Sequence, residues 1–219
     1  MKIIITGSSS GIGKAVSERF LSLGHEVYGI DVMPSAIDHT SYTHFVADIK
    51  DPGKLPEITD ADILFNNAGT QNSPDDIDNN LKGAINVTEK YVKSCTLSSV
   101  LFNASASAVS GQEFPIYAAS KSGLIGYMKN VAIRLAPTGA TVNAISLGGV
   151  RAPLNAPVMD DPALWSRIMN VTPLKKWMTL DEVADWVVFL TVQNRSMSGQ
   201  NLLIDNGERD LNPTFVWPE

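Results

Sequence analysis

Two side chains in the stretch Ile116-Tyr117-Ala118-Ala119-Ser120-Lys121 have the types and spacing for proton transfer. The stretch reads as the start of a helix, where residues four apart share a face with Cβ atoms about 5–6 Å from each other. An ammonium held beside a phenol favours the phenolate and lowers the phenol's pKa. A free phenol titrates near ~10, so this pairing would bring Tyr117 closer to a working acid or base at neutral pH. Alone the spacing is common, and a Tyr packed on a helix face matches it equally well. A second element at the other end of the chain gives it weight.

That element is Thr6-Gly7-Ser8-Ser9-Ser10-Gly11-Ile12-Gly13, which follows the β-branched run Lys2–Thr6 and opens a helical pattern. The glycines suit a tight turn at Gly7, close backbone approach to a pyrophosphate at Gly11 and close helix–strand packing at Gly13. Free N–H groups and the helix dipole at such an N-terminus favour phosphate. The spacing is Gly-x-x-x-Gly-x-Gly, so the general dinucleotide motif is matched only loosely. The second strand ends at Asp31, whose carboxylate can accept hydrogen bonds from adenosine ribose hydroxyls and would repel a 2′-phosphate. No Arg or Lys stands at Ser8, Ser9, Ser10 or Val32 to pair with such a phosphate, so NAD(H) is expected rather than NADP(H).

These residues need a scaffold. Candidate strands lie at Lys2–Thr6, Glu26–Ile30, Tyr42–Val46, Ile63–Asn66, Val100–Asn103, Thr141–Ser146 and Leu202–Ile204. Helical patterns lie at about Gly11–Leu23, Asp78–Ser94, Pro115–Leu135, Pro162–Met169 and Thr179–Thr191. Apolar strands alternating with helices predict βαβ units, hence an α/β fold: a doubly wound parallel sheet between helical layers, with its site at the carboxyl ends of the strands. The 219 residues suit one domain. A net charge of −6 argues against a nucleic-acid partner. The lone Cys95 excludes an intrachain disulfide framework, and no His/Cys cluster has metal-ligand spacing. No apolar run reaches membrane-spanning length, so a cytoplasmic protein is expected. His25, His39 and His44 sit near early strands, far in sequence from Tyr117, which leaves a Ser-His-Asp hydrolase unsupported.

With the glycine loop, Asn66-Asn67-Ala68-Gly69 and Tyr117-x-x-x-Lys121 in this order, the chain resembles the compact, single-domain short-chain dehydrogenase/reductases, from Met1 to about Asp205. The resemblance implies a Rossmann-type fold, a nicotinamide cofactor and a likeness in site residues. Asp48 and Ile49 stand where the family contacts adenine; Asn67, Ala68 and Gly69 where it lines the adenosine ribose; Val150 where a backbone contact to nicotinamide is expected. Asn80 matches the family's helix asparagine, which binds a water linking the Lys to solvent. The family's serine falls on Ser105 or Ser107, and the spacing to Gly111 favours Ser105. Tyr117 then exchanges a proton with the substrate oxygen, while Lys121 holds the nicotinamide ribose and depresses the Tyr pKa. In many relatives the helices shortened here build subunit interfaces, so the family's oligomeric state is not carried over; a homodimer or homotetramer is the expectation.

Departures are informative. Leu147-Gly148-Gly149-Val150 replaces the usual Pro-Gly, Ala152 replaces a frequent Thr, and Asn206-Gly207-Glu208-Arg209-Asp210 replaces a Gly-Gly ending. The segment between Asp48 and Asn67 is short enough to lack a helix. Substrate choice is expected from about 151–179, where Leu154, Val158, Ile168 and Trp177, with Phe114 and Ile116, suggest an apolar pocket for a hydroxysteroid, a 3-oxoacyl thioester or a similar ketone. Phe215-Val216-Trp217-Pro218 could close that pocket or dock on a neighbour. Two other readings stay open: a non-catalytic dinucleotide sensor on the same fold, and a scaffold protein.

Overall fold

The computed structural model describes residues 1–211, so the run Phe215-Val216-Trp217-Pro218 lies outside the described residues. Seven parallel strands form one sheet in the order β3-β2-β1-β4-β5-β6-β7. They are β1 Lys2–Thr6, β2 Glu26–Asp31, β3 Tyr42–Val46, β4 Ile63–Asn66, β5 Ser99–Asn103, β6 Thr141–Leu147 and β7 Asn201–Ile204. The strand order reverses direction between β1 and β4. In open α/β sheets that crevice, at the carboxyl ends, is where ligands bind.

Strand periodicity sorts the core. Successive side chains alternate between faces, so Ile3 and Ile5 join Phe65, Leu101 and Ile145 on one side of the sheet. Ile4, with Leu64, Val100, Phe102 and Val142, packs on the other. The first face is covered by α1 (Gly11–Ser22) and α7 (Leu180–Val188), through Val16, Phe20, Val183 and Val187. The second is covered by α2 (Ala84–Ser94) and α4 (Pro115–Leu135), through Val87, Tyr91, Leu124, Met128 and Val131. This is the expected three-layer α/β/α arrangement. Short helices α3 (Ser107–Ser110), α5 (Ala156–Met159) and α6 (Pro162–Val171) complete the set. No helix among the described residues is long and apolar enough to cross a membrane.

Local chemistry sets the helix ends near the site. Pro115, with its fixed φ and no N–H, opens α4. Thr179 and Glu182 form a capping box at the start of α7: Thr179 Oγ1 accepts from the Glu182 N–H at 3.2 Å and Glu182 Oε2 from the Thr179 N–H at 2.9 Å. Two expected helices differ in kind. Ile77–Gly83 is a π-helical segment leading into α2, and Phe189–Gln193 is another following α7. Between Asp48 and Asn67 only a short 3₁₀ turn, Pro52–Lys54, appears, as the segment's length suggested.

Phe102, with no exposed surface and edge-on to Tyr127 at 5.9 Å, anchors the α4 side of the core. Phe102→Ala should lower the unfolding free energy by about 3–5 kcal/mol, measured as a shifted denaturant midpoint at constant m-value.

Candidate active site

The carboxyl ends of β1, β4, β5 and β6 open into one cavity of about 720 Å³. That lies within the ~300–1,000 Å³ usual for small-molecule sites. It runs from Gly7, Gly11 and Asp31 at one end, past Asn67, Asn103 and Lys121, to Tyr117, Phe114 and Arg209 at the other.

The glycine loop is built as its sequence implied. Gly7 and Gly11 have φ of +69° and +50°, and a Cβ at Gly11 would meet nothing within 4 Å, leaving its backbone open to the cavity. A Cβ at Gly13 would overlap the Gly7 carbonyl oxygen, so helix and turn approach this closely only because position 13 is glycine. Ser10 and Ile12 also line the cavity. Asp31 fastens the loop to the end of β2: Oδ2 accepts from the Ser9 N–H and Oδ1 from the Met33 N–H, each at 2.9 Å. Beneath it, Tyr42 donates to Ser8 Oγ at 2.9 Å and lies 3.0 Å from His44 Nδ1. His44 is therefore a packing residue of this end. Asp48 and Ile49, after β3, form the adjacent wall.

A hydrogen-bonded chain crosses the switch point. Thr6 Oγ1 accepts from the Asn67 and Ala68 N–H groups, both at 3.0 Å. Asn67 Oδ1 accepts from Asn103 Nδ2 at 2.9 Å, and the Asn103 carbonyl accepts from Lys121 Nζ at 2.7 Å. Lys121 is only 5% exposed, and its Nζ stands 5.8 Å from the centre of the Tyr117 ring. The predicted pair is thus brought together, one turn apart on α4. Gly69 lets its loop close over this region, since a Cβ there would overlap Asn80 Oδ1 and fall 3.6 Å from Lys121 Nζ.

Two expectations need correction, on the Tyr117 phenol and on the pocket lining. Burial pushes the Tyr117 phenol up, with Glu113 and Asp76 adding to the rise and only the Ser105 hydroxyl opposing it. The ammonium of Lys121 is itself disfavoured: burial pulls it down to about 8. Asn80 is fully engaged through its amide. Nδ2 donates to the Thr70 carbonyl at 2.9 Å and Ser120 Oγ at 3.0 Å, and Oδ1 accepts from the Thr70 N–H at 2.8 Å. It braces the loop after Gly69. Finally, the pocket is not wholly apolar. Leu154, Val158, Ile168 and Trp177 share its lining with Glu113, Glu208 and Arg209.

The serine alternatives separate. Ser105 lines the cavity, whereas Ser107 is wholly buried and donates to Glu113 Oε2 at 2.5 Å, while accepting from Ser105 Oγ at 3.1 Å. Val150 closes the β6 end through a bridge to Met178, and its carbonyl accepts from Asn155 Nδ2 at 2.8 Å. Sequence reasoning missed Asp76, wholly buried and accepting from Thr70 Oγ1 at 2.7 Å, because an Asp in a polar loop reads as solvated. It also missed Glu113, Glu208 and Arg209. The departure of the tail from the family pattern was the available signal for the last two.

Cofactor-sized space is matched by orphan polarity. Among the described residues, Asn103 Oδ1 and Trp177 Nε1, both on cavity-lining residues, are buried without a hydrogen-bond partner. Buried polar atoms are normally satisfied, so these fit a site that a polar ligand completes.

Lys121 gives a pH signature. An unfolded Lys titrates near ~10.4 and holds its proton between pH 8 and 10, where the folded site, at about 8, releases it. Stability conferred through this group therefore rises with pH across that window. Subtracting the unfolding free energy of Lys121→Met from that of the wild type should give a difference that increases from pH 7 to 9.5; a flat difference would contradict the burial argument.

Comparison with known proteins agrees with this geometry. The family model described as enoyl-(acyl carrier protein) reductase matches residues 7–208. Momilactone A synthase of Oryza sativa subsp. japonica is 30% identical, with the alignment covering 97% of this chain and 91% of that protein. A 4-hydroxyisoleucine dehydrogenase complexed with NADH superposes with a TM-score of 0.87 at 25% identity, over 96% of this chain and 99% of that one. A putative 2-deoxy-D-gluconate 3-dehydrogenase from Agrobacterium tumefaciens with bound NADP gives 0.81 at 25% identity, over 94% and 95%. The chain belongs to the short-chain dehydrogenase/reductase family, oxidoreductases that interconvert alcohols and ketones with a nicotinamide dinucleotide.

Proposed function

We propose that the protein is an NAD(H)-dependent oxidoreductase interconverting a secondary alcohol and a ketone, with Tyr117 as the acid/base. The observation that carries this is the convergence of Tyr117, Lys121 and Ser105 on the cavity that the glycine loop opens at the sheet's switch point. When bound, the nicotinamide supplies or accepts the hydride. Gly11, Ser10 and Ile12 would hold its pyrophosphate, Asp31 the adenosine ribose, Asp48 and Ile49 the adenine, Asn67 to Gly69 the inner wall, and Val150 the nicotinamide end.

The chain's own groups do the rest. Ser105 positions the substrate oxygen, and Tyr117 gives it a proton in reduction or takes one in oxidation. Burial holds the proton on Tyr117 in the free protein, so the phenol stands ready as an acid. Lys121, poised near pH 8 against the Asn103 carbonyl, is positioned to pair with a ribose hydroxyl and to counter phenolate charge. Asn80 positions both by bracing the Gly69 loop. The substrate body rests against Leu154, Val158 and Ile168, within residues 151–179, a surface suited to a steroid, an acyl thioester or a similar carbon skeleton. Asp31 favours NAD through its charge and because no cation stands beside it at Val32 or Met33. Exposed Ile133, Trp186 and Phe189 support assembly as a homodimer or homotetramer.

Absorbance of reduced nicotinamide, with NAD or NADP and a panel of 3-hydroxysteroids, 3-hydroxyacyl thioesters and aliphatic alcohols, tests this. Turnover should require NAD, and Tyr117→Phe should lose about 10²-fold or more of kcat. Full activity in that variant would exclude Tyr117 as the acid/base. Asp31→Ala should narrow the NAD-over-NADP ratio of kcat/KM by about tenfold or more, and an unchanged ratio would remove Asp31 from cofactor choice.

A further inference from the structure

Two chain segments far apart in sequence meet at the substrate end of the cavity and make a charged wall. One is the loop before α4, carrying Glu113 at φ +73°, a left-handed conformation unusual for a residue with a side chain. Such strain persists only where surrounding structure enforces it, and it clusters at functional sites. The Glu113 side chain is held by Ser107 Oγ, which donates to Oε2 at 2.5 Å. The other segment is the turn after β7. Asp205 fixes it, accepting from the Gly207 N–H at 2.9 Å and the Arg209 N–H at 2.8 Å. Arg209 Nη2 donates to Glu113 Oε1 at 3.3 Å and lies 3.7 Å from Glu208 Oε1. Glu113, Glu208 and Arg209 all line the cavity alongside Tyr117.

The polar inventory of this wall is incomplete. Arg209 Nε is buried and, among the described residues, has no acceptor. Glu113 accepts one bond on each oxygen, which leaves lone pairs on both, because a carboxylate has about four acceptor sites. One guanidinium faces two carboxylates, so the wall is not cationic: an anionic substrate group would compete with Glu113 and Glu208 for the same arginine. An ammonium would sit against the guanidinium. A hydroxyl suits this mixed wall, accepting from the Arg209 guanidinium and donating to a carboxylate oxygen.

We propose that Arg209 and Glu113 form a subsite for a second hydroxyl group on the substrate, so that the preferred substrate is a diol or hydroxyketone whose carbon skeleton spans from Tyr117 to this wall. Burial pushes the Glu208 carboxyl up, which further reduces the wall's appetite for cations. The proposal rests on the oxidoreductase reading above and names its substrate class.

The test uses full-length protein with NAD and secondary alcohols on cyclohexane and decalin skeletons, the far carbon bearing hydrogen, hydroxyl, carboxylate or ammonium. The hydroxyl compound should exceed the hydrogen compound in kcat/KM by about tenfold or more, as a hydrogen bond to a charged group allows. In Arg209→Met and Glu113→Gln that ratio should fall toward one, with NADH affinity by fluorescence reporting that the variants stay folded. Equal kcat/KM for the hydrogen and hydroxyl compounds would overturn the subsite, as would preference for carboxylate or ammonium. If the plain alcohol is still oxidised by the wild type and not by Tyr117→Phe, the oxidoreductase reading survives that result.

Discussion

The site depends on a buried ammonium. Taking a Lys out of water costs several kcal/mol unless its protons are bonded or it gives up its charge. Lys121 is met by one carbonyl, that of Asn103, at 2.7 Å. That carbonyl belongs to the end of β5, and the side chain of Asn103 is tied to Asn67 after β4, which is tied in turn to Thr6 at the end of β1. The carboxyl ends of three neighbouring strands are thereby fixed relative to one another and to α4. Tyr117 stands one turn earlier on α4, so its position follows from the same anchoring. Incomplete satisfaction of the ammonium shows as its pull toward neutrality, to about 8. A site tuned this way is stabilised further by a ligand that supplies polar partners, which connects the strain of the free protein to cofactor binding.

The glycine loop does the same work by sterics. Gly13 and Gly69 each occupy a place where a Cβ would overlap a neighbour, the Gly7 carbonyl in one case and the Asn80 amide in the other. The backbone on both sides of the switch point is thus drawn in closely enough to make a narrow crevice between β1 and β4. Asp31 then does two things with one carboxylate. It holds the loop through the Ser9 and Met33 amides, and it brings a carboxylate to this end of the cavity.

Much of this was legible in the chain. Alternating runs such as Ile3-Ile4-Ile5 predicted strands covered on both faces, and those residues do divide between the two core layers. The order of glycine loop, strand-end Asp and Tyr-x-x-x-Lys pointed to residues that line one cavity, because each sits at a strand end or helix start, where local sequence decides structure. Other features were not legible, for a physical reason. The π-helical turn at Ile77–Gly83 carries Asn80, whose pairing with the Thr70 backbone leaves no mark in helical periodicity. The direction of the Tyr117 shift depends on burial, and spacing on a helix reports proximity without reporting the dielectric around it. The charged wall joins Glu113 to Arg209 across the fold, and neither residue lies in a local pattern.

The central claim is that burial, rather than its lysine neighbour, governs Tyr117 in the free protein. The most direct measurement is a spectrophotometric phenolate titration of the wild type against Tyr117→Phe, with and without NAD. The account predicts that the difference spectrum without cofactor titrates above the ordinary ~10 of a phenol and moves down when NAD is bound. A Tyr117 that titrates below ~10 in the free protein would contradict it, showing that burial does not govern the phenol.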